Sequence, residues 1–270
     1  MARILAVTNQ KGGVGKTTTA VNLTACLAEI GQRVLLIDLD PQANATTGCG
    51  VVKSDALSTV YQILIGRSTM RGTSLRTEFG FDLMPANREL AGAEIDLINL
   101  GKREYRLRDA LADIRGDYDF IVMDCPPALN LLTVNGLVAA DTVMIPMQCE
   151  YYALEGLTDL VATLKKVRAK LNPVLEIEGL LRTMYDPRST LTQQVSRELE
   201  RHFGSKVYRT IVPRNVRLAE APSYGKPVIA FDRGSKGAQA YLLLAQEVLD
   251  RYAGSAGRVT AALAGAGVEP

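Results

Sequence analysis

Residues 11–18, KGGVGKTT, form a glycine-rich stretch that contains two lysines and two threonines. The standard phosphate-binding loop reads G-x-x-x-x-G-K-[ST], and the chain departs from it because Gln10 stands where the first glycine is required. The parts that hold phosphate are present: successive backbone N–H groups can face an anion, Lys16 can reach the outer phosphates, and Thr17 offers a hydroxyl for Mg²⁺. The stretch therefore predicts a nucleotide-binding loop made of Gly12, Gly13, Val14, Gly15, Lys16, Thr17 and Thr18.

A second lysine, Lys11, lies five positions before Lys16 in the same stretch. It is surplus to cradling one nucleotide, because a site already served by Lys16 has little use for another cation within one subunit. The purpose of Lys11 stays open from the residues alone, and one possibility is that it is solvated or contacts only its own nucleotide.

An aspartate, Asp124, follows a run of four apolar residues at positions 120–123. It has the usual form of a Walker B acid, which holds Mg²⁺ directly or through water. An acid at a strand end is common in turns, so this indication depends on its pairing with the glycine-rich stretch. Asp38 follows a second apolar run, at 34–37, and is the other acid predicted to bind Mg²⁺ through water. Together with Thr17, these two acids form the predicted magnesium site.

Asp40 is the candidate for orienting a water molecule that attacks a phosphate. Side chains two residues apart on a strand point to the same side, so Asp38 and Asp40 share a side, and Pro41 ends the strand. Phosphoryl transfer to water requires in-line placement of the water and neutralisation of charge on the leaving oxygens. This requirement favours a catalytic role for Asp40 beside Lys16. The alternative is that both acids only cap the following segment or bind Mg²⁺ through water.

The elements that must position these residues are buried strands that alternate with helices. Uninterrupted apolar runs predict strands at residues 3–8, 34–37, 81–84, 120–123, 142–147, 177–183 and 207–212. Helical spacing of apolar residues predicts helices at residues 17–30, 130–139, 154–171, 191–203 and near 239–252. The pattern indicates an α/β fold with a doubly wound, mostly parallel sheet and helices on both faces. Ligands collect at the carboxyl ends of such strands, so the glycine-rich stretch and the three acids are expected on one rim.

The domain organisation is predicted as one domain over residues 1–253 and an Ala/Gly-rich, loosely ordered tail over residues 254–270. With 47% hydrophobic and 22% charged residues, the composition is that of a globular protein, and no segment approaches the ~20 apolar residues that span a bilayer. Four scattered cysteines without CxxC spacing indicate a reduced, cytoplasmic compartment. The single histidine, His202, argues against histidine-dependent catalysis.

Positive charge is concentrated in the carboxyl-terminal third of the chain. Residues 182–236 carry 11 Lys and Arg against 5 Asp and Glu, whereas the rest of the chain carries 20 basic and 24 acidic residues. A basic segment on a mildly acidic body favours a surface that faces nucleic acid. The alternative is an ordinary surface of mixed charge, which a count of charges does not exclude.

Several motifs carry a resemblance to a known family. The stretch at 11–18 with its two lysines, DLDPQ at 38–42 and DCPP at 124–127 together resemble the deviant Walker A ATPases. Within that class the chain is similar to the ParA/Soj chromosome-partitioning ATPases. This narrower resemblance is carried by residues 85–94, 148–156, 211–217 and 219–227. It extends from residue 3 to about Tyr252 and leaves only the tail uncovered.

The resemblance implies an ATPase that uses ATP and Mg²⁺ and forms a homodimer in its ATP state. In this family Lys11 would cross to the phosphates of the partner subunit and act as an arginine finger does, with Lys16 and Asp40 completing catalysis. Pro213 and Asn215 follow a predicted strand on the nucleotide side, so we expect them to contact the adenine. By the same position, Arg214 is open to a role in the base pocket instead of DNA binding.

The family also implies that the ATP-bound dimer binds double-stranded DNA without sequence preference, through basic residues of its carboxyl-terminal portion. Such phosphate contacts give salt-sensitive affinity without sequence readout. A ParB-like centromere-binding protein would then trigger hydrolysis, and the protein would be cytoplasmic and associated with the nucleoid. The matching residues are Arg188 and Arg217, followed by Arg214, Arg233 and Lys236.

Two other classes share this nucleotide chemistry. A membrane-cycling relative resembling MinD needs a carboxyl-terminal amphipathic helix with a basic face. The tail of this chain has only Arg258 as a base, so no stable membrane association is expected. Iron–sulfur reductases similar to nitrogenase iron protein bridge a cluster through two cysteines per subunit. Cys125 and Cys149 lie at or near predicted strand ends, but neither lies in the glycine-rich setting of such ligands.

Overall fold

The computed structural model describes the backbone of residues 1–53 and 58–265, and side chains as far as residue 253. Its strands are β1 Arg3–Val7, β2 Val34–Asp38, β3 Leu75–Arg76, β4 Asp82–Met84, β5 Phe120–Asp124, β6 Thr142–Gln148, β7 Glu176–Tyr185 and β8 Val207–Pro213. Its α-helices are α1 Lys16–Glu29, α2 Asn44–Gly48, α3 Val60–Leu64, α4 Met70–Thr73, α5 Ala93–Ile98, α6 Arg106–Leu111, α7 Leu131–Ala139, α8 Ala153–Lys170, α9 Thr190–Phe203, α10 Val216–Glu220, α11 Val228–Phe231 and α12 Lys236–Gly265. Short 3₁₀ segments lie at Arg88–Gly92, Gly204–Lys206 and Ala221–Tyr224.

The strands form one sheet in the order β3-β4-β2-β5-β1-β6-β7-β8. All neighbouring pairs are parallel except β3 and β4, which are antiparallel. The register is even at the centre of the sheet, where Asp124 is opposite Val7 on one side and opposite Asp38 on the other. Three strands therefore end at the same level, and the segments that follow them share one edge.

Helices cover both faces of the sheet, which confirms the doubly wound α/β prediction. Side chains alternate between the faces along each strand. Leu5 packs with the apolar side chains of α1 and α12 on one face. Its neighbour Ile4 packs with those of α7 and α8 on the other face. Strands buried on both faces read as continuous apolar runs, which explains why they could be recognised from sequence.

The predicted strands and long helices agree with the structure to within a few residues, apart from the last helix. That helix was expected near residues 239–252 and runs as Lys236–Gly265. The tail predicted at 254–270 lies outside the described side chains, and residues 266–270 lie outside the described backbone, so its character stays a prediction. Strand β3 and the helices of four to six residues were not predicted, because elements this short show no periodicity. Within the described residues, none of the helices is long and apolar enough to cross a membrane.

Candidate nucleotide-binding site

The glycine-rich stretch connects the end of β1 to the start of α1, as a phosphate loop requires. Gly13 and Gly15 have φ angles of 73° and 86°, a left-handed conformation that favours glycine over any residue with a side chain. Among the described residues, the backbone N–H groups of residues 15–18 donate no hydrogen bond to the protein. These unpaired donors lie at the start of the 14-residue helix α1 and can face an anion.

Lys16 lies inside the loop, with 7% of its surface exposed. Its Nζ donates to the Lys11 carbonyl oxygen at 2.9 Å. Burial lowers the pKa of Lys16, and the negative charges of Asp124 and Asp40 oppose this change. The loop thus encloses a lysine whose positive charge is stabilised by two of the predicted acids.

Asp124 is a fully buried carboxylate beside the loop. Within the described residues, neither of its oxygens has a hydrogen-bond partner. Burial, and then the charge of Asp38, raises the pKa of Asp124; the neighbouring Thr17 hydroxyl and Lys16 act in the opposite direction. An unpaired buried carboxylate is costly unless a cation accompanies it. Asp124 and Thr17 therefore fit a Mg²⁺ ion, which usually takes one or two protein ligands and completes its shell with phosphates and water.

No group of three or more His, Cys, Asp or Glu side chains in the described part of the chain is arranged to hold a metal by itself. A magnesium ion shared with a nucleotide does not need such a cage. The four cysteines are buried thiols in the structure. Burial raises the pKa of Cys125 and of Cys149.

Asp38 is also fully buried, but its carboxylate is occupied by protein donors. Its Oδ2 accepts hydrogen bonds from the backbone N–H of Thr46 at 2.8 Å and from the Thr46 hydroxyl at 2.7 Å. Its Oδ1 accepts from the Asp40 N–H at 3.1 Å. Burial raises the pKa of Asp38 to about 6, while the bonds from Thr46 partly offset the rise. These bonds tie Asp38 to the segment that follows β2, and its contact with Mg²⁺ through water stays a prediction.

Asp40 lies further out on the same edge and is partly exposed. Its Oδ1 accepts from the Gln42 N–H at 2.9 Å, and its carbonyl oxygen accepts from Ala43 at 2.8 Å. No hydrogen bond from the described residues engages Oδ2. One oxygen of Asp40 is therefore fixed by a turn, and the other is available to a water molecule.

The side chain of Lys11 pairs with an acid outside the loop, a contact that the sequence did not predict. Its Nζ lies 2.5 Å from Oε2 of Glu150, which follows β6, and both side chains are about half exposed. The Lys11 N–H donates to Asn9 Oδ1 at 3.0 Å, and Asn9 Nδ2 donates to the Pro146 carbonyl at 2.8 Å. Lys11 is thus held at the outer edge of the loop by two side chains from outside the glycine-rich stretch.

The predicted base-binding residues lie where β8 ends. Pro213 is the last residue of β8, and Asn215 lies just before α10. The Oδ1 atom of Asn215 is buried and has no hydrogen-bond partner within the described chain. A Cβ added to Gly237 would approach this oxygen to 3.2 Å. A buried acceptor without a donor fits an exocyclic amino group such as that of adenine.

We refer to the predicted DNA-binding residues together as the basic surface: Arg188, Arg214, Arg217, Arg233 and Lys236. All five are exposed. Arg188 pairs with Asp186 at 3.1 Å, and Arg214 also lowers the pKa of that acid, after the larger effects of Arg188. Arg217 pairs with Glu220 at 2.8 Å and with Asp232 at 3.1 Å. Arg233 follows Asp232 and pairs with Glu29 at 2.6 Å.

Several residues that support the site could not be found from motifs. Thr46 holds Asp38, Asn9 holds the backbone of Lys11, and Glu150 holds its ammonium group. Thr183, at the end of β7, donates its hydroxyl to the Val14 carbonyl at 2.8 Å. Of these four residues, only Glu150 lies in a stretch that carries the family resemblance, residues 148–156. Its contact with Lys11 joins two positions that are 139 residues apart.

A parallel sheet that delivers a glycine-rich loop, a buried lysine and an unpaired carboxylate to one edge is the architecture of P-loop nucleotide-binding proteins. A family model described as an AAA domain matches residues 2–177 of the chain.

The chain is 53% identical over 252 residues to the chromosome partitioning protein ParA of Caulobacter vibrioides, with 92% of this chain and 94% of that protein covered. It is 54% identical over 249 residues to the sporulation initiation inhibitor protein Soj of Bacillus subtilis, with 92% and 98% covered. A solved structure of cobyrinic acid a,c-diamide synthase from Mycobacterium smegmatis, with bound ATP analog and magnesium, is 39% identical with a TM-score of 0.82, covering 93% of this chain and 96% of that one. The chain therefore belongs to the ParA/Soj family of chromosome-partitioning ATPases.

Proposed function

We propose that this ATPase is a nucleotide-controlled switch that partitions a chromosome or plasmid. With ATP and Mg²⁺ bound, two copies form a dimer that binds double-stranded DNA without sequence preference, and a ParB-like partner triggers hydrolysis and release. The observation that carries the proposal is the position of Lys11. Its ammonium group lies at the exposed edge of the loop, 2.5 Å from Glu150, while Lys16 fills the loop interior.

The proposed hydrolysis step uses groups at the carboxyl edge of the sheet. The N–H groups of residues 15–18 and the Lys16 ammonium neutralise charge on the phosphates. Thr17 and Asp124 would hold Mg²⁺, which would neutralise negative charge on the phosphates. Asp40 orients the attacking water through the carboxylate oxygen that its turn leaves available. Lys11 of the facing subunit supplies the remaining positive charge, so hydrolysis depends on dimerisation.

The basic surface supports DNA binding through its exposed arginines. Each contact to a DNA phosphate releases counterions, so the affinity should fall steeply with salt and should show little dependence on sequence. Because Arg188, Arg217 and Arg233 are already paired with acids, DNA must replace those partners. Binding of this kind places the protein on the nucleoid.

The experiment that tests the proposal compares DNA and liposomes as binding surfaces. The protein is mixed with a non-specific DNA duplex or with anionic vesicles, each with ATP, with ADP and without nucleotide. We expect binding to DNA with ATP alone, and no binding to vesicles in any state. Vesicle binding with ATP, without DNA binding, would instead support the MinD-like membrane-cycling alternative.

A separate measurement tests the partner. ATP hydrolysis is followed with DNA, with a ParB-like protein from the same genome, and with both together. The proposal predicts slow hydrolysis that rises when DNA and the partner are both present. A rate that the partner leaves unchanged would remove this part of the proposal while leaving the DNA switch intact.

A further inference from the structure

Thr183 connects the last residues of β7 to the glycine-rich loop. It is buried, with 3% of its surface exposed, and its register partner is Gln148 at the end of β6. Its Oγ1 donates a hydrogen bond of 2.8 Å to the carbonyl oxygen of Val14, across 169 residues of sequence. A Cβ added to Gly15 would lie 3.8 Å from the Thr183 methyl carbon, so the side chain also lies close to the following residue of the loop.

This hydrogen bond fixes the orientation of one peptide unit in the loop. In a trans peptide the carbonyl of one residue and the N–H of the next point in opposite directions. Because the Val14 carbonyl is turned toward β7, the Gly15 N–H is turned away from β7. That N–H is one of the donors that have no protein partner within the described residues.

The loop needs such an anchor because its own residues do not fix its conformation. Glycine occupies left-handed and right-handed backbone conformations with similar ease, and Val14 lies between Gly13 and Gly15. The Val14–Gly15 peptide adjoins a glycine, and Gly13 precedes Val14, so the peptide reorients more readily unless another group holds it. Thr183 is therefore a support from outside the loop for a conformation that the loop sequence permits but does not impose.

The backbone after Thr183 is strained. Met184 has a φ of 46°, in the left-handed region that residues with side chains rarely adopt. Strain of this kind persists where the surrounding structure requires one conformation, and it is concentrated at functional sites. Here it lies directly beside the residue that contacts the loop.

We propose that Thr183 is a positioning residue of the phosphate loop, whose hydroxyl aligns the Val14–Gly15 peptide so that the Gly15 N–H faces the bound phosphates. The inference concerns nucleotide binding by a single subunit and does not depend on DNA binding or partitioning. It adds a residue from β7 to a loop formed by β1 and α1.

The test replaces Thr183 by Val, which keeps the shape and removes the hydroxyl, and by Ser, which keeps the hydroxyl. ADP affinity is measured by calorimetry with Mg²⁺ and without DNA. The Kd for ADP should rise about two- to tenfold in T183V, from the loss of one hydrogen bond, and should stay within about twofold of wild type in T183S. In hydrolysis assays the KM for ATP should rise in T183V while kcat changes little, because an interaction made equally in the ground state and the transition state is lost.

The matched control is Thr77→Val. Thr77 is likewise buried, and its hydroxyl donates to the Phe81 carbonyl at 2.7 Å, beside β3 and β4 at the far edge of the sheet. T77V should lose thermal stability as T183V does, and should bind ADP like the wild-type protein. If T183V does not fold, Thr183→Ala serves in its place.

Unchanged ADP affinity in a folded T183V or T183A protein would overturn the proposal. So would a T183S protein that binds ADP as weakly as T183V. Neither result would bear on the partitioning function, because these measurements contain no DNA and no partner protein.

Discussion

The edge of the sheet around the glycine-rich loop and the basic surface differ in how their polar groups are satisfied. At the loop, the N–H groups of residues 15–18 and the Asp124 carboxylate have no partner within the described chain. On the basic surface, three of the five basic residues already form ion pairs with neighbouring acids. The loop edge is therefore prepared for a ligand, whereas the basic surface must exchange one set of partners for another.

This difference suggests different controls on the two functions. An unpaired buried group costs about 1–3 kcal/mol, and a ligand that pairs it recovers that free energy. An exposed ion pair contributes only about 0–1 kcal/mol, so its partners can be exchanged at little cost. Nucleotide binding should then be tight and local. DNA binding should be weak for each arginine and should depend on bringing many arginines together, as the proposed dimer would.

The largest expected effect is that of Asp40→Ala on the loop edge. Without a carboxylate to orient the water, ATP hydrolysis should fall by about 10²–10³-fold, while ATP binding and dimerisation persist. The variant should therefore accumulate as an ATP-bound dimer that stays on DNA. Phosphate release and DNA dissociation measure the two effects.

The control for Asp40→Ala is Asp159→Ala, which changes an exposed acid on α8 that is not a predicted site residue. It should hydrolyse ATP as the wild-type protein does. Hydrolysis by the Asp40→Ala protein at the wild-type rate would show that another group orients the water.

A smaller but clear effect is expected for Arg217→Glu on the basic surface. If Arg217 binds a DNA phosphate as proposed, replacing this cation by an anion should lower DNA affinity by at least about tenfold at low salt and should reduce the dependence of affinity on salt. ATP-driven dimerisation should be unchanged. Fluorescence anisotropy with labelled duplex and sedimentation with ATP measure these two properties.

Arg76→Glu is the matched control, because Arg76 is also exposed and also pairs with an acid, Asp82, at 3.0 Å. It lies on β3 at the opposite end of the sheet from β8. If both charge reversals weaken DNA binding equally, the effect belongs to net charge, and the basic surface has no special role.

The smallest effect is expected from Asp186→Asn, which tests the pairing itself. The change frees Arg188 from its ion pair and keeps an oxygen that can accept from the Arg188 N–H. DNA affinity should rise about two- to fivefold, which is the effect of releasing one exposed pair. Asp109→Asn, which frees Arg108 elsewhere on the surface, should leave DNA affinity unchanged. Equal gains in the two variants would mean that pairing at Arg188 does not restrain DNA binding.

Much of the fold could be predicted because its strands are buried on both faces. Runs such as 34–37 and 120–123 are apolar throughout, and the acids that end them mark the carboxyl edge of the sheet. The glycine-rich loop could also be recognised from local sequence, because the groups predicted to bind phosphate are contiguous in residues 11–18. Local pattern was sufficient for the elements and for the positions of Lys16 and Asp124 at the carboxyl edge of the sheet; their roles stay predictions.

The remaining contacts join segments that are far apart in sequence. Lys11 and Glu150 are separated by 139 residues, and Val14 and Thr183 by 169. A threonine at the end of a strand has no distinctive spacing, so nothing in the sequence links Thr183 to the loop. The hydrogen bond from Thr46 to Asp38 could not be predicted either, although the two residues are only eight positions apart. It depends on how the two side chains are oriented, which no sequence pattern specifies.

The central claim is that Lys11 completes the site of a facing subunit, and a mixing experiment tests it most directly. Lys11→Ala has an intact site but no lysine to contribute, whereas Asp40→Ala contributes Lys11 but has no water-orienting acid. Each variant alone should hydrolyse ATP very slowly. An equal mixture should recover roughly a quarter of the wild-type rate, because half of the dimers are mixed and each of these has one complete site. A mixture no more active than its components would contradict the account and would place the action of Lys11 within its own subunit.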